Sequence, residues 1–182
     1  LKKNFKLSIA FFDENYFRDN KIIHANGPYF YEDYIKEVKF LLKIAYQNKN
    51  IALVFKSQFI HNTIFNLIER NKELRKFYNS DQIFNISIAN SHNDRNIVNP
   101  SEIAQSVDLS ISSTMGATAG YESLSVGCRT LFINSRCSSY DVIFPKNVLL
   151  DNIEELKNVL EEINYSREKL FKTDIGEMDL FN

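Results

Sequence analysis

Short, continuous apolar runs alternate with longer amphipathic segments along this sequence. The apolar runs predict buried strands at 6–14 (KLSIAFFDE), 51–55, 83–89, 109–112 and 130–134, with a short edge strand at 147–150. Apolar residues at helical spacing predict helices at 31–48, 61–78, 101–107, 117–126 and 152–164. Parallel strands need crossover connections, and strands that are apolar throughout are buried on both faces. The pattern therefore predicts an α/β fold, a doubly wound, Rossmann-like parallel sheet with helices on both faces.

The loops at one edge of such a sheet are the expected ligand-binding positions. Ligands bind beyond the carboxyl ends of parallel strands. Here those ends lead into the polar segments at 13–29, 56–61, 90–99, 112–118 and 134–146. The segment after Asn164 has no clear pattern.

Length and composition are those of an ordinary globular domain. The chain has 182 residues, of which 44% are hydrophobic and 25% charged. These values fit one Rossmann-like domain over residues 1–182. The sequence begins with Leu1 and has no clear closing element, so we expect it to be a piece of a longer protein.

Charge and cysteine content narrow the class of function. The formal net charge of −1 lacks the basic excess of a general nucleic-acid binder. Cys128 and Cys137 make neither a disulfide framework nor a zinc-ligand set, and we expect no metal site. Neither a membrane-spanning run nor a signal peptide is visible. We expect a cytoplasmic protein, and the sequence leaves peripheral association with a membrane open.

The stretch at 108–134, DLSISSTMGATAGYESLSVGCRTLFIN, is the most informative one. It predicts a strand, a turn of small and hydroxylated residues, a helix and a second strand. Unpaired amides and the helix dipole at such a helix start favour phosphate. We expect Ser113, Thr114, Gly116 and Thr118 to hold an anion there. One of residues 112–114 is also expected to cap the helix, and the turn is neither a P-loop nor a GxGxxG motif.

Two charged residues accompany this turn. Glu122 is alone in an otherwise uncharged helix, about 9 Å along the axis from Gly116 at ~1.5 Å per residue. Its carboxylate is suited to accept two ribose hydroxyls, and the alternative is an exposed helix glutamate. Lys56 directly follows a buried strand, so its ammonium is placed to neutralise a diphosphate, or else it is a solvated lysine. Ser57 beside it offers a hydroxyl.

The remaining polar residues at this edge match no metal-binding or nucleophile motif. His24, His61 and His92 are scattered without metal spacing, and no G-x-S-x-G nucleophile motif occurs. Residues 90–92 are placed to line a base pocket, mainly through backbone groups.

Residues 112–134 resemble the donor-binding lobe of GT-B glycosyltransferases and of the related UDP-sugar 2-epimerases. Those families carry a pattern like S-x-x-G-x-T-x-x-E-x-x-x-x-G. With a shift of one at the start, this sequence matches it at Ser112, Gly116, Thr118, Glu122 and Gly127. In element order the resemblance covers about residues 50–164.

The resemblance implies a C-terminal lobe whose partner lobe is missing and normally supplies the general base, so the catalytic residues are unknown. It places the donor phosphates at 113–118 and the ribose at Glu122, with Lys56 matching a basic residue after the second strand. It implies transfer of a sugar from a nucleotide-sugar donor to a carbohydrate or lipid-linked acceptor, in the manner of bacterial surface-polysaccharide transferases. The nucleotide sugar is then a substrate, and no cofactor is expected.

The sequence also departs from the family. Met115 and Gly116 stand where a paired glycine is common, and Arg129 replaces a frequent proline. Met115 also stands where the acid of the retaining pattern would precede Glu122, which argues against a retaining mechanism.

Three other functions remain open from the sequence. A UDP-sugar 2-epimerase-like isomerase would need more acids and histidines around the cleft. A polyol-phosphate phosphotransferase cannot be separated from a glycosyltransferase by sequence. A non-catalytic Rossmann-like interaction domain would use the serine turn only as a helix cap.

Overall fold

The structure of the chain, a computed structural model, describes residues 4–13, 31–57, 64–86, 89–90, 93–114, 117–134 and 144–178. The strands within these ranges are β1 (Leu7–Asp13), β2 (Ile51–Ser57), β3 (Ile83–Asn85), β4 (Ala89–Asn90), β5 (Asn93–Asn96), β6 (Leu109–Ser113), β7 (Arg129–Ile133) and β8 (Leu149–Leu150). Six of them form one parallel sheet in the order β3-β2-β1-β6-β7-β8, and β4 and β5 form a separate antiparallel pair.

Helices cover both faces of this sheet. They are α1 (Tyr31–Gln47), α2 (Ile64–Arg70), α3 (Lys72–Arg75), α4 (Pro100–Ala104), α5 (Thr118–Ser125), α6 (Glu155–Glu162) and α7 (Arg167–Leu170). Leu7, Ile9 and Phe11 of β1 join the core with α1, α2, α3, α6 and α7. Ala10 and Phe12 point the other way and pack with α4 and with the flank of α5. The predicted doubly wound α/β fold is therefore confirmed.

The strand order fixes where a ligand crevice lies. From β1 the chain moves outward to β2 and β3, then returns to place β6 beside β1 and moves outward again to β7 and β8. The carboxyl ends of β1 and β6 thus form the point at which the winding reverses. In open parallel sheets the ligand crevice lies at such a point.

Most predicted elements are present, and three are corrected. The helix predicted at 61–78 is wrong, because Asn71 interrupts it and its side chain accepts from the amides of Glu73 and Leu74, which starts α3 anew. The strand predicted at 83–89 joins the main sheet only as far as Asn85. The loop predicted at 90–99 contains β5.

The segment after Asn164, which has no clear pattern in the sequence, is ordered against the sheet. Asn164 and Tyr165 both take positive φ and end α6, since their amides bond back to the carbonyls of Glu161 and Leu160. Residues 166–178, here termed the C-terminal clasp, then run under the starts of β6, β7 and β8. The amide of Thr130 donates to the carbonyl of Gly176, whose own amide donates to Asn147.

Within the described ranges, no helix combines the length and the apolar character needed to cross a membrane.

Candidate functional site

The carboxyl ends of β1, β2 and β6 lie side by side. Phe12 pairs with Lys56, Asp13 pairs with Ser57, and Phe11 pairs with Ile111. Neighbouring strands are separated by ~4.8 Å, so the ends of β2 and β6 are roughly 10 Å apart across β1. The fold therefore brings the predicted Lys56 and the serine turn to one edge, on either side of the winding reversal.

Lys56 points towards the face that carries α4 and α5. Side chains alternate along a strand, and Val54 and Phe12 belong to the core on that face. The Lys56 side chain is half-buried there. Ser57 points to the opposite face and is fully buried, so it does not face the same space as Lys56.

The serine turn begins one residue later than the sequence suggested. Ser112 and Ser113 belong to β6, and the amide of Thr114 continues the ladder by donating to the Ile133 carbonyl at 3.0 Å. The Thr114 amide is therefore engaged, and only its hydroxyl can contact a ligand. Gly116 lies outside the described residues, as do His24, His61 and His92.

The cap position of α5 differs from the expected one. The residue there is Ala117, which makes no side-chain capping hydrogen bond. The prediction that the cap position falls among residues 112–114 is wrong, because β6 and its ladder extend through them. The backbone amide of Tyr121 donates to the Ala117 carbonyl at 2.8 Å, which is the first helical hydrogen bond of α5. Thr118 is exposed on the first turn. The amino end of α5 therefore lies near the carboxyl ends of β1 and β6, where the winding reverses.

Gly120 brings α5 close to the sheet. A Cβ at this position would lie 2.3 Å from Phe132 Cε1 and 3.1 Å from Ser112 Cβ. Only glycine allows this approach. The hydroxyl of Ser112 is consequently buried beneath the first turn of α5, and it has no hydrogen-bond partner among the described groups.

Glu122 lies on the flank of α5 that faces α4. It shares that flank with Ala119, three residues earlier, which packs against the cluster containing Ile103 and Ala104. Its side chain is half-buried, and no described residue donates to its carboxylate. Glu122 is ~6 Å along the axis from Thr118, and helical side chains lean towards the amino end. This lean is towards the first turn of α5.

The other flank of α5 carries an aromatic cluster that the sequence analysis missed. Phe132 and Phe144 stack with ring centroids 4.4 Å apart, and Tyr121 stacks on Phe144 at 5.9 Å. Tyr121 is 37% exposed. The helical spacing between Ala117 and Tyr121 signals a shared flank, but the contact with residue 144 is long-range and leaves no local pattern.

The described residues include no group of three or more histidine, cysteine, aspartate or glutamate side chains arranged to hold a metal ion. Cys128 is buried, as the sequence suggested for a small core residue. The site therefore consists of a helix end, hydroxyls, one lysine and one carboxylate, a set suited to binding an anion joined to a polyol.

Comparison of the chain with protein-family models and with curated proteins gives no match.

Proposed function

We propose that this chain is the nucleotide-sugar donor-binding lobe of a GT-B type glycosyltransferase that acts in surface-polysaccharide synthesis. One observation supports the proposal: the amino end of α5, with Ala117 at its cap position, comes a few residues after β6, at the point where the sheet winding reverses. Helix ends in this position attract phosphate through free amides and the helix dipole.

The phosphates of the donor would lie against the first turn of α5. The Thr118 hydroxyl is exposed there, and Thr114 supplies a hydroxyl but not its amide. Lys56 contributes a cation from the far side of β1. The buried hydroxyl of Ser112 adds an unused donor beneath the same turn. These groups would stabilise the charge that develops on the departing nucleotide phosphate.

Glu122 would fix the ribose. A carboxylate can accept two hydroxyl hydrogen bonds at once, and no described residue competes for this one. The order along α5, with Thr118 first and Glu122 about one turn later, matches the order of phosphate and ribose in a nucleotide.

In this arrangement the chain binds and orients the donor and stabilises the leaving group. The bond that breaks joins the anomeric carbon of the sugar to the phosphate oxygen. The proton of the acceptor hydroxyl would go to a base on the other lobe, so the chain alone should bind nucleotide without transferring sugar.

Thermal unfolding with a panel of nucleotides tests the proposal. A ligand at about 100 times its Kd stabilises the folded chain by roughly 2.7 kcal/mol. We expect one nucleotide to raise Tm, and Glu122→Gln to reduce that rise to the level given by pyrophosphate without lowering the apo stability by more than ~1 kcal/mol. Glu162→Gln, an exposed glutamate on α6, is the matched control.

Pyrophosphate separates the two halves of the site. Glu122→Gln should leave protection by pyrophosphate intact, because the ribose contact alone is lost, whereas Thr118→Val should weaken protection by both ligands. Absence of a Tm rise with every nucleotide would favour the non-catalytic interaction domain. An isomerase would convert a UDP-sugar without any acceptor when the full-length protein is assayed.

A further inference from the structure

The helix α5, whose amino end carries the candidate site, has few apolar contacts of its own with the sheet. It has 8 residues, fewer than the ~12–15 that an isolated helix needs to be marginally stable in water. In this fully described helix only Gly120, Ser123 and Leu124 are buried, and Leu124 alone is large and apolar. The position of α5 therefore depends on what packs around it.

The C-terminal clasp supplies part of that packing. Its last residue, Met178, packs against the cluster formed by Leu124, Phe132 and Val148. Leu124 belongs to α5, and the Phe132 ring lies directly below Gly120, where it leaves no room for a Cβ. Met178 thus belongs to the packing that seats α5 on the sheet.

A single guanidinium holds the clasp at the start of β7. Arg129, whose side chain is 10% exposed, donates through Nη1 to the carbonyls of Thr173 at 2.6 Å and Ile175 at 3.0 Å. The same nitrogen lies 3.2 Å from the Glu177 carboxylate, and the guanidinium lies 5.5 Å from the centre of the Phe171 ring. The clasp is therefore attached through directional contacts that converge on one largely buried cation.

The clasp also has a backbone contact that favours glycine. The amide of Thr130 donates to the Gly176 carbonyl at 2.8 Å, and the Gly176 amide donates to the Asn147 carbonyl at 2.8 Å. Gly176 has a φ of +69°, and a Cβ there would lie 2.9 Å from the Thr130 nitrogen. Gly176→Ala would therefore strain the backbone and push the clasp away from β7, while every side chain that packs on α5 stays unchanged.

We propose that the clasp holds α5 in place, and that its release frees α5 from the sheet and removes the anion site at the amino end of the helix. Met178 acts on α5 directly, while Arg129 and Gly176 keep Met178 in position. Such a local opening needs less free energy than global unfolding, because the core on the other face of the sheet stays intact. The consequence for nucleotide binding rests on the proposed function, but the movement of α5 does not.

Reaction of Cys128 with a thiol reagent reports this movement. Cys128 comes two residues after the end of α5 helical hydrogen bonding at Val126, is buried, and its amide donates to the Ser123 carbonyl at 3.1 Å. Its thiol is therefore reached when α5 lifts or when the whole chain unfolds. Cys137→Ser leaves Cys128 as the one cysteine of the chain. Labelling with N-ethylmaleimide, followed by mass spectrometry, gives the rate.

Two variants in this background loosen the clasp by different means. We expect Gly176→Ala and Met178→Ala each to accelerate labelling by about tenfold in the absence of urea. Val159→Ala is the matched control, since Val159 is a partly buried side chain of α6 on the opposite face. It should lower global stability yet leave the labelling rate within about twofold, because Val159 stays packed when only the clasp opens.

The contrary results are distinct. If Cys128 were exposed only by global unfolding, labelling in Val159→Ala would rise as much as its unfolding constant, and labelling in every variant would increase steeply with urea. Either that result or an unchanged rate in both Gly176→Ala and Met178→Ala would overturn the proposal.

Inorganic pyrophosphate tests the effect on the site. At about 100 times its Kd, a ligand that binds only the closed form slows labelling of Cys128 by about 100-fold, and we expect this slowing wherever pyrophosphate raises Tm. A Tm rise without slower labelling would overturn the coupling and leave the donor-binding proposal standing. No Tm rise with pyrophosphate or any nucleotide would refute the donor-binding proposal, while Gly176→Ala and Met178→Ala would still decide whether the clasp holds α5.

Discussion

Replacing Asp108 with alanine should destabilise this fold more than any exposed substitution. Asp108 immediately precedes β6, and its side chain is completely buried. Its Oδ2 accepts from the Ser8 amide at 2.9 Å and from the Ser8 hydroxyl at 2.6 Å. Its Oδ1 lies 2.6 Å from Nε of Arg167, an ion pair with the clasp. One carboxylate therefore ties together β1, β6 and the C-terminal segment.

The magnitude follows from what the substitution leaves behind. The amide and hydroxyl of Ser8 would be buried without their acceptor, at about 1–3 kcal/mol for each unsatisfied group. Arg167 would lose its counter-charge, but its side chain is 33% exposed, so water can compensate for part of that loss. Removing one partner of a buried ion pair typically costs 3–5 kcal/mol, and we expect about 3–4 kcal/mol here.

Urea unfolding followed by circular dichroism measures this cost, since the chain has no tryptophan. Asp108→Asn keeps one acceptor and should cost about 1–3 kcal/mol. Arg167→Ala combined with Asp108→Ala in a double-mutant cycle isolates the ion pair from the Ser8 hydrogen bonds. Asp151→Ala, an exposed aspartate, should change stability by less than about 0.5 kcal/mol. A cost below about 1 kcal/mol for Asp108→Ala would show that the network does not hold the strands together.

Three further outcomes are expected. Gly120→Ala should cost about 1–3 kcal/mol in urea unfolding, because the new methyl group would overlap the buried Phe132 ring; an unchanged midpoint would mean that α5 can move away from the sheet. Gln82→Leu should cost about 2–3 kcal/mol, since the Gln82 amide nitrogen donates to three backbone carbonyls that leucine cannot satisfy. Glu73 should titrate below 4.5 in an NMR experiment and return towards it in Lys76→Ala. The stability from this pair is present above the unfolded pKa and is lost as pH falls through the lower folded pKa, so the opposite sign would refute the pairing.

The local sequence pattern was sufficient to predict the strands and helices that build the sheet. The run IALVF is apolar at every position because β2 is covered on both faces, and α6 shows its buried side through Leu156 and Leu160. Pro100 starts α4, whose Glu102 carboxylate accepts from the Asn99 amide at 2.8 Å. In these cases the deciding interactions lie within a few residues of one another in the sequence.

The features that the sequence did not predict depend on distant contacts. The hydrogen bonds of Asp108 to Ser8 join positions 100 residues apart in the chain, and its ion pair reaches Arg167 in the clasp. Arg129 orders the clasp by donating to the carbonyls of Thr173 and Ile175, so a segment without apolar periodicity is fixed by polar contacts. At the candidate site, the sequence placed Lys56 and Glu122 near one edge, but the cap position of α5 at Ala117 becomes clear only once the length of β6 is known.

Polar side chains at the start of the strands and at their carboxyl ends differ in their hydrogen bonding, and this difference has a testable consequence. At the edge where the strands start, the Asp108 carboxylate accepts from Ser8 through Oδ2 and forms an ion pair with Arg167 through Oδ1. At the opposite edge the Ser112 hydroxyl is buried without a partner and Glu122 receives no donor from the described residues, an arrangement that costs stability unless a ligand supplies the contacts. The amino edge therefore stabilises the fold while the carboxyl edge remains available for binding. Asp108→Asn should lower the apo Tm yet leave the Tm rise caused by nucleotide unchanged, whereas Glu122→Gln should do the reverse. If both variants reduced the nucleotide effect equally, the two edges would be coupled and the separation of stability from binding would be wrong.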